Sequence, residues 1–235
     1  MTGAEMVVKT LEKNGVKVVF GYPGAANCPI IDKLSFSSIK HILTRNEQGA
    51  AHMASGYARV TKQAGVCTAT SGPGATNLIT GIATAYMDSI PMVALTGQVA
   101  TKLIGKDAFQ EVDITGATLP FTKHSYLIKD GLDIPRVVNE AFHIANTGRP
   151  GPVLIDFPMD LLKKEFDYPD EDEDVNIRGY KLMGKANESQ VKKVAEAIKG
   201  AKKPVILAGG GVVISDATNE FRKFVKETDI PVVST

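Results

Sequence analysis

One carboxylate, Glu47, stands where a strand is expected to end and a helix to begin, within the stretch from Lys40 to Tyr57. Alanines follow it at helical spacing, so one face of this helix carries little more than methyl groups: Ala50, Ala51, Ala54 and Ala58. Side chains this small let a flat ring or another backbone come close. Ligands of α/β proteins bind near the strand ends, where Glu47 would lie, so this carboxylate is either a helix cap or a functional group.

The capping alternative depends on a local pattern. Thr44 and Glu47 have the spacing of a capping box, in which the two residues satisfy each other's free backbone N–H groups. Taken alone, this pattern favours the cap, and only the rest of the chain changes the balance.

Two glycine-rich turns also follow expected strands and open helices. They read Gly21-Tyr-Pro-Gly24 and Ser71-Gly-Pro-Gly-Ala-Thr-Asn77. Such turns permit close backbone approach, and the helix N-terminus behind them favours anions or polar ring atoms. Neither turn has the GxGxxG or GxxxxGK[ST] pattern, so dinucleotide or nucleoside triphosphate binding does not follow. In a parallel sheet the preceding strands end at one edge, which predicts that both turns and Glu47 converge on one crevice.

The elements that would position these groups alternate between short strands and helices. Expected strands lie at 16–20, 39–43, 66–70, 92–96, 125–128 and 153–157. Expected helices lie at 4–13, 29–34, from Glu47 onward, 76–87 and 134–145. Apolar, often β-branched strands between helices are typical of a parallel sheet covered on both faces. We therefore predict a doubly wound parallel α/β domain at residues 1–162.

The composition changes after this domain. Residues 163–186 include YPDEDED, with five consecutive acids after a proline, which predicts a solvated acidic linker. The α/β rhythm resumes at residues 187–235, where a third glycine run, Gly209 to Gly211, follows a strand. This predicts the first part of a second Rossmann-like domain. About 50 residues bury too little surface to fold dependably alone, so we expect a longer polypeptide or another chain to complete it.

Composition and spacing argue against several other classes. The chain has 27 basic and 26 acidic residues without a basic cluster, which argues against nucleic acid binding. Two distant cysteines, Cys28 and Cys67, and four scattered histidines predict neither a disulfide framework nor a metal site. The N-terminal segment reads as a charged amphipathic helix, and no apolar run approaches the ~20 residues of a membrane span. We expect a cytoplasmic protein.

Six collinear motifs resemble acetolactate synthase large subunits, which are thiamine-diphosphate enzymes. The motifs are FGYPGA (20–25), NEQGAAHMASGYAR (46–59), TSGPGATN (70–77), IPMVALTGQV (90–99), DAFQEVD (107–113) and GRPGPVLIDFP (148–158). The resemblance covers the whole chain in order. It implies that residues 1–162 bind the pyrimidine ring of the cofactor. The remainder would then be the first half of a central domain that binds FAD in biosynthetic members.

The resemblance also implies roles for single residues. Glu47 would hydrogen-bond a nitrogen of the aminopyrimidine and relay a proton. The implied thiamine-diphosphate contacts are Tyr22, Pro23, Gly24, Asn77 and Gln98. The implied substrate contacts are Phe109 and Gln110. The implied FAD contacts are Arg149, Gly209, Gly210 and Gly211.

The implied reaction decarboxylates pyruvate and joins the product to a second 2-keto acid, as in branched-chain amino-acid biosynthesis. Another thiamine-diphosphate lyase or decarboxylase stays open, although carboligases of the glyoxylate type lack the activating glutamate. A non-catalytic partial subunit that needs a partner chain is a further alternative. Departures from the family pattern leave the acceptor keto acid undecided: Ala25, Asn27, Cys28, Asn46 and Met159.

The resemblance finally implies partners outside this sequence. No stretch resembles the GDG-and-asparagine motif that holds Mg²⁺ and the diphosphate, so we expect those ligands outside this chain. In the family the site forms between two subunits. A homodimer or tetramer is therefore expected, and the resemblance to large subunits leaves open whether a small regulatory subunit attaches.

Overall fold

The first of two compact units, residues 1–182, is built around a sheet of six parallel strands. The structure is a computed structural model and describes residues 1–168 and 175–235. The strands are β1 (Val18–Gly21), β2 (Lys40–Leu43), β3 (Gly65–Ala69), β4 (Met92–Gln98), β5 (His124–Leu127) and β6 (Pro152–Pro158). Their order in the sheet is β2-β1-β3-β4-β6-β5. This arrangement confirms the predicted α/β fold with a parallel sheet.

Helices cover both faces of this sheet. They are α1 (Gly3–Lys13), α2 (Cys28–Leu34), α3 (Glu47–Thr61), α4 (Pro73–Asn77), α5 (Ile79–Met87), α6 (Ile114–Thr118), α7 (Ile134–Asn146) and α8 (Met159–Lys163). Short 3₁₀ turns occupy Thr101–Leu103, Leu119–Phe121 and Gly131–Asp133. The single helix predicted at 76–87 is wrong in its bounds, because Pro73 starts a helix earlier and Leu78 separates α4 from α5.

The side of the sheet to which successive strands are added changes at β1. It leaves β1 for β2 on one side and then crosses to β3 on the other, with Val19 paired to His41 and to Val66. The carboxyl ends of β1 and β3 are therefore neighbours with diverging connections. A crevice opens at such a point in doubly wound sheets.

The two faces of the sheet are packed differently. One face buries large branched and aromatic side chains under α1 and α7, including Leu11, Val138 and Phe157. The other face is dominated by alanines under α3 and α5, among them Ala50, Ala51, Ala54, Ala69, Ala75, Ala85 and Ala94. Every residue of β3, β4 and β6 is buried, which explains why these strands read as continuous apolar runs.

The second unit, residues 183–235, contains a parallel pair of strands with three helices. Its elements are α9 (Glu188–Gly200), β7 (Ile206–Ala208), α10 (Gly211–Ile214), α11 (Thr218–Thr228) and β8 (Val232–Ser234). The acids at 170–174 of the predicted linker lie outside the described residues. The division between the units falls within 163–186, and the domain boundaries stay a prediction. No helix in the described ranges has the length and apolar character needed to cross a membrane.

Candidate active site

Glu47 is the first residue of α3, at the edge of the sheet where β2 has just ended. The residue before it, Asn46, caps the helix by accepting a 2.6 Å hydrogen bond from the backbone N–H of Gly49. The capping-box alternative for Glu47 is therefore wrong. A box needs the acid at the third helical position, whereas Glu47 is at the first, and the buried Thr44 hydroxyl has no hydrogen-bond partner among the described residues. Because Asn46 caps the helix, the Glu47 carboxylate is left for other contacts.

The Glu47 side chain is only 8% exposed and lies between α3 and α4. Its Oε2 accepts a 3.0 Å hydrogen bond from the Asn77 side-chain amide, while Oε1 has no hydrogen-bond donor among the described residues. The alanine face predicted behind it is confirmed, since Ala50, Ala51 and Ala54 are fully buried. This environment orients the carboxylate through one oxygen and leaves the other available.

The second glycine turn packs directly against this carboxylate. A Cβ placed on Gly74 would stand 3.2 Å from Glu47 Oε1 and 2.7 Å from the Thr70 side chain. Gly72 has a left-handed backbone, with φ of 57°, and a Cβ there would be 2.5 Å from the carbonyl oxygen of Gln110. Any larger side chain would have to displace these neighbours. Glycine at both positions therefore allows the turn to pack closely, at Gly74 against Glu47 and Thr70 and at Gly72 against the Gln110 backbone.

The first glycine turn meets the second across the crevice. A Cβ on Gly24 would lie 2.5 Å from the Thr70 Cβ, and the Thr70 hydroxyl accepts a hydrogen bond from the backbone N–H of Ala26 at 3.1 Å. The predicted convergence of both turns and Glu47 on one edge is confirmed. Tyr22, at the tip of the first turn, is partly exposed.

Asn27 fixes the shape of the first turn, a role that its sequence context did not reveal. It is fully buried, and its Oδ1 accepts a hydrogen bond from the backbone N–H of Gly24 at 2.8 Å. Its amide donates to the Tyr22 carbonyl at 3.1 Å and to the Thr68 hydroxyl at 3.3 Å. An asparagine shortly after a glycine turn and next to a helix start is the signal that could have pointed to it.

Gln98, at the end of β4, is 3% exposed, and its amide is engaged within the domain. The amide nitrogen donates to Asp156 Oδ2 at 2.8 Å and to the Val112 carbonyl at 2.9 Å, while the amide oxygen accepts from the backbone N–H of Val99. The structure thus places Gln98 at the correct sheet edge and gives it an internal role. Contact with a cofactor stays a prediction.

Asp156 is a buried carboxyl group that the sequence analysis did not single out. It lies in β6, is 1% exposed, and accepts a 2.6 Å hydrogen bond from the Thr96 hydroxyl. Burial raises the pKa of Asp156 to about 7, against the opposing effect of its hydrogen bonds from Thr96 and Gln98, and the charge of Asp113 raises it further. A single acid inside the apolar run PVLIDFP is the signal that could have found it.

Phe109 and Gln110 lie on a segment that reaches the second glycine turn. The carboxylate of Glu111 closes this segment by accepting hydrogen bonds from the backbone N–H groups of Gly105 and Ala108. The Gln110 backbone is left-handed, with φ of 56°, and packs on Gly72, whereas the Phe109 ring is 88% exposed. The two residues therefore border the crevice from outside.

Arg149 lies away from this group, and the third glycine run belongs to the second unit. Arg149 precedes β6 and so stands at the opposite edge of the sheet, where it donates to the Ser89 hydroxyl at 2.7 Å and to the Met87 carbonyl at 3.3 Å. Gly209 to Gly211, in the second unit, follow β7 and open α10. Contact of either with FAD stays a prediction. Within residues 1–168 and 175–235, no group of three or more His, Cys, Asp or Glu side chains could hold a metal ion.

Comparison with known proteins agrees with this geometry. The family model for the N-terminal TPP (thiamine pyrophosphate) binding domain of thiamine pyrophosphate enzymes matches residues 1–117, and the model for their central domain matches 191–235. The acetolactate synthase of Mycobacterium bovis is 53% identical to this chain, and a probable acetolactate synthase large subunit of Methanocaldococcus jannaschii is 54% identical. Both alignments cover 100% of this chain, but the chain spans only 38% and 40% of those relatives.

Proposed function

Since this chain belongs to the thiamine pyrophosphate enzyme family, we propose that it forms the pyrimidine-binding side of an acetolactate-synthase-like carboligase. The complete protein would decarboxylate pyruvate and join the two-carbon product to a second 2-keto acid. The observation that carries this proposal is the buried Glu47 carboxylate, held by Asn77 through one oxygen beside a glycine turn.

The residues at this edge fit the pyrimidine ring of thiamine diphosphate. Oε1 of Glu47 can accept a hydrogen bond from a protonated ring nitrogen, because no protein donor among the described residues occupies it. The glycines at 24, 72 and 74 let the two turns pack closely against Thr70, the Gln110 backbone and the Glu47 carboxylate, so that backbone rather than side chains borders this edge. A carboxylate in a crevice with little water is also a suitable site for holding and passing on a proton.

Each protein group then has a defined task. Thiamine diphosphate, when bound, supplies the nucleophilic carbon and the electron sink that 2-keto acid chemistry needs. Glu47 holds and transfers a proton at Oε1, and Asn77 fixes the orientation of the carboxylate through Oε2. The alanine face of α3 excludes water behind the carboxylate. Phe109 and Gln110 border the side on which the keto acid would enter.

The proposal extends to groups that this chain does not hold alone. Mg²⁺ and the diphosphate would be bound by ligands outside this chain, so the working site would form in a homodimer or tetramer. FAD would contact Arg149 and the run from Gly209 to Gly211. A small regulatory subunit and a place in branched-chain amino-acid biosynthesis belong to the same proposal, as does a cytoplasmic location.

Glu47→Gln in the full-length protein tests the central claim. Glutamine keeps the size and one acceptor oxygen but cannot transfer the proton, so we expect acetolactate formation from pyruvate to fall by about 100-fold or more. Product analysis with and without 2-ketobutyrate identifies the acceptor. Thiamine-diphosphate binding by calorimetry separates loss of chemistry from loss of affinity.

The chain offers a closely matched control. Glu188 also follows an asparagine cap, Asn187, and is also the first residue of its helix, but it is exposed in the second unit. Glu188→Gln therefore makes the same chemical change at the same helical position, and we expect it to retain wild-type activity. If Glu47→Gln keeps activity within about threefold of the control, the assigned role of Glu47 is wrong, because proton-transfer groups contribute far more than that.

A further inference from the structure

A buried hydrogen-bond chain connects β6 to the segment that borders the substrate side of the crevice. It runs from the Thr96 hydroxyl to Asp156, from Asp156 to the Gln98 amide nitrogen, and from that nitrogen to the carbonyl of Val112. The distances are 2.6, 2.8 and 2.9 Å. Asp156 and Gln98 are almost completely buried, so water does not compete for these bonds.

The donors and acceptors in this hydrogen-bond chain allow only one orientation of the Gln98 amide. The Val112 carbonyl can only accept, so the Gln98 atom that faces it must be the nitrogen. The same nitrogen faces Asp156, which must therefore present an acceptor oxygen. Gln98 Oε1 is committed to the backbone N–H of Val99. Asp156 accepts the second N–H of this nitrogen and so helps to hold the Gln98 amide in the orientation that reaches Val112.

The segment held in this way is anchored at both of its ends. At its start, Asp160 accepts hydrogen bonds from the backbone N–H and the hydroxyl of Thr101, at 2.9 and 2.6 Å. Residues 104–111 are then closed on themselves by Glu111 and rest on Gly72 through the Gln110 backbone. At the far end, Gln98 holds the Val112 carbonyl, the Val112 side chain packs against the alanine-rich core, and Asp113 caps α6 by accepting from the backbone N–H of Gly116.

We propose that Asp156 is a positioning residue, which acts through Gln98 to fix segment 104–113 against the second glycine turn and so places Phe109 and Gln110 for the incoming 2-keto acid. This inference rests on the proposed function. Asp156 is not required for packing, because its neighbours on this face of the sheet are apolar, among them Leu154 and Ile114. Burying a carboxyl group there disfavours its charged form, as the raised pKa shows, so a gain in stability does not explain its presence.

Three substitutions, at two residues of the hydrogen-bond chain, distinguish a positioning role of Asp156 from a role in stability. Asp156→Val removes the acceptor and keeps a side chain suited to a strand, whereas Asp156→Asn keeps an acceptor oxygen for Gln98. Thr96→Val is the matched control, because it removes the other hydrogen bond of Asp156 without touching Gln98. If Asp156→Val does not fold, Gln98→Met breaks the same link from the other side.

Hydrogen exchange measured by mass spectrometry on the full-length protein is the first readout. We expect amides in 104–113 to exchange about tenfold faster in Asp156→Val, as expected for the loss of one buried hydrogen bond worth about 1.4 kcal/mol. Exchange in Asp156→Asn and Thr96→Val should stay close to wild type. Peptides from α7, which lies on the other face of the sheet, report any general loosening.

Steady-state kinetics is the second readout. Asp156→Val should raise KM for pyruvate about fivefold with kcat changed less than about twofold, since the uniform binding of substrate is what is lost. Unchanged exchange in 104–113, or an equal effect of Thr96→Val, would overturn the inference. A wild-type protein that forms no acetolactate would instead refute the proposed function, and the exchange comparison would still decide whether Asp156 holds the segment.

Discussion

Replacing Gly81 with alanine sets two opposing effects against each other. Gly81 lies in α5, where alanine would favour the helix by about 1 kcal/mol in an exposed position. It is, however, buried against α3, and a Cβ there would stand 2.3 Å from the Ala51 Cβ and 3.2 Å from the Ala51 carbonyl carbon. Ordinary contacts between such atoms are about 3.5–4.0 Å, so the two helices must separate.

We expect the steric clash with Ala51 to outweigh the gain in helix propensity. Forcing an extra methyl group into a packed core costs about 1–3 kcal/mol and occasionally more, and here the obstacle is a methyl group fixed to a backbone rather than a flexible side chain. The cost of this clash therefore lies near the upper end of that range, at about 3 kcal/mol, and subtracting about 1 kcal/mol for helix propensity leaves a net loss of about 2 kcal/mol in the free energy of unfolding. In a protein of this size that loss lowers Tm by about 4–8 °C.

Gly56 provides the control within the partner helix. It lies in the interior of α3, it is exposed, and a Cβ there would meet nothing within 4 Å. Gly56→Ala should therefore raise the free energy of unfolding by about 0.5–1 kcal/mol. Urea denaturation and scanning calorimetry of both variants beside the wild type measure this difference in sign.

A compensating substitution tests the mechanism. Ala51→Gly removes the methyl group that the new side chain of Gly81→Ala would strike. The free energy of unfolding of the double variant should therefore exceed the value expected from the sum of the two single effects by about 1–2 kcal/mol. Additive effects, or a Gly81→Ala protein as stable as wild type, would refute the close α3–α5 contact as the cause. Because α5 follows α4, the same displacement should also weaken the bond from Asn77 to Glu47.

Three other contacts lead to separate expectations. Asn27→Leu leaves the backbone N–H of Gly24 without its acceptor, so urea denaturation should show a loss of about 2 kcal/mol; an unchanged midpoint would contradict this. The folded protein keeps the Asp156 proton up to about pH 7, whereas an unfolded aspartate loses it near its usual value of 3.8, so the stabilisation is present at low pH and lost as pH rises through 7. The stability of wild type minus that of Asp156→Asn should therefore decrease from pH 4 to 8, and a constant difference would disprove the assignment. Asp88→Asn breaks the exposed pair with Arg59, and we expect a loss below about 1 kcal/mol that disappears at high salt.

The strands could be predicted because their physics is local. β3, β4 and β6 are buried on both faces and are mostly apolar, so their existence and parallel pairing followed from pattern alone. The meeting of both glycine turns with Glu47 then followed from the geometry of a parallel sheet. Boundaries were less certain, as the division of 73–87 into α4 and α5 shows.

The cap and the buried network could not be predicted in the same way. Thr44 and Asn46 are both good caps, and the choice between them depends on where β2 releases the chain. The contact of Asp156 with Gln98 depends on the register of β4 with β6, which pairs Thr96 with Asp156 across 60 residues of sequence. The residues next to Asp156 and Gln98 in the sequence do not indicate that these two side chains contact each other.

The alanine face under α3 has a consequence for how firmly Glu47 is held. Alanine has no side-chain torsion that could relax, so ordering Ala50, Ala51 and Ala54 loses no rotamer entropy on folding. For the same reason this layer cannot adjust by exchanging rotamers, as the branched layer on the other face of the sheet can. The carboxylate therefore stands on a support with a single conformation, and its position can change only when whole backbone segments move.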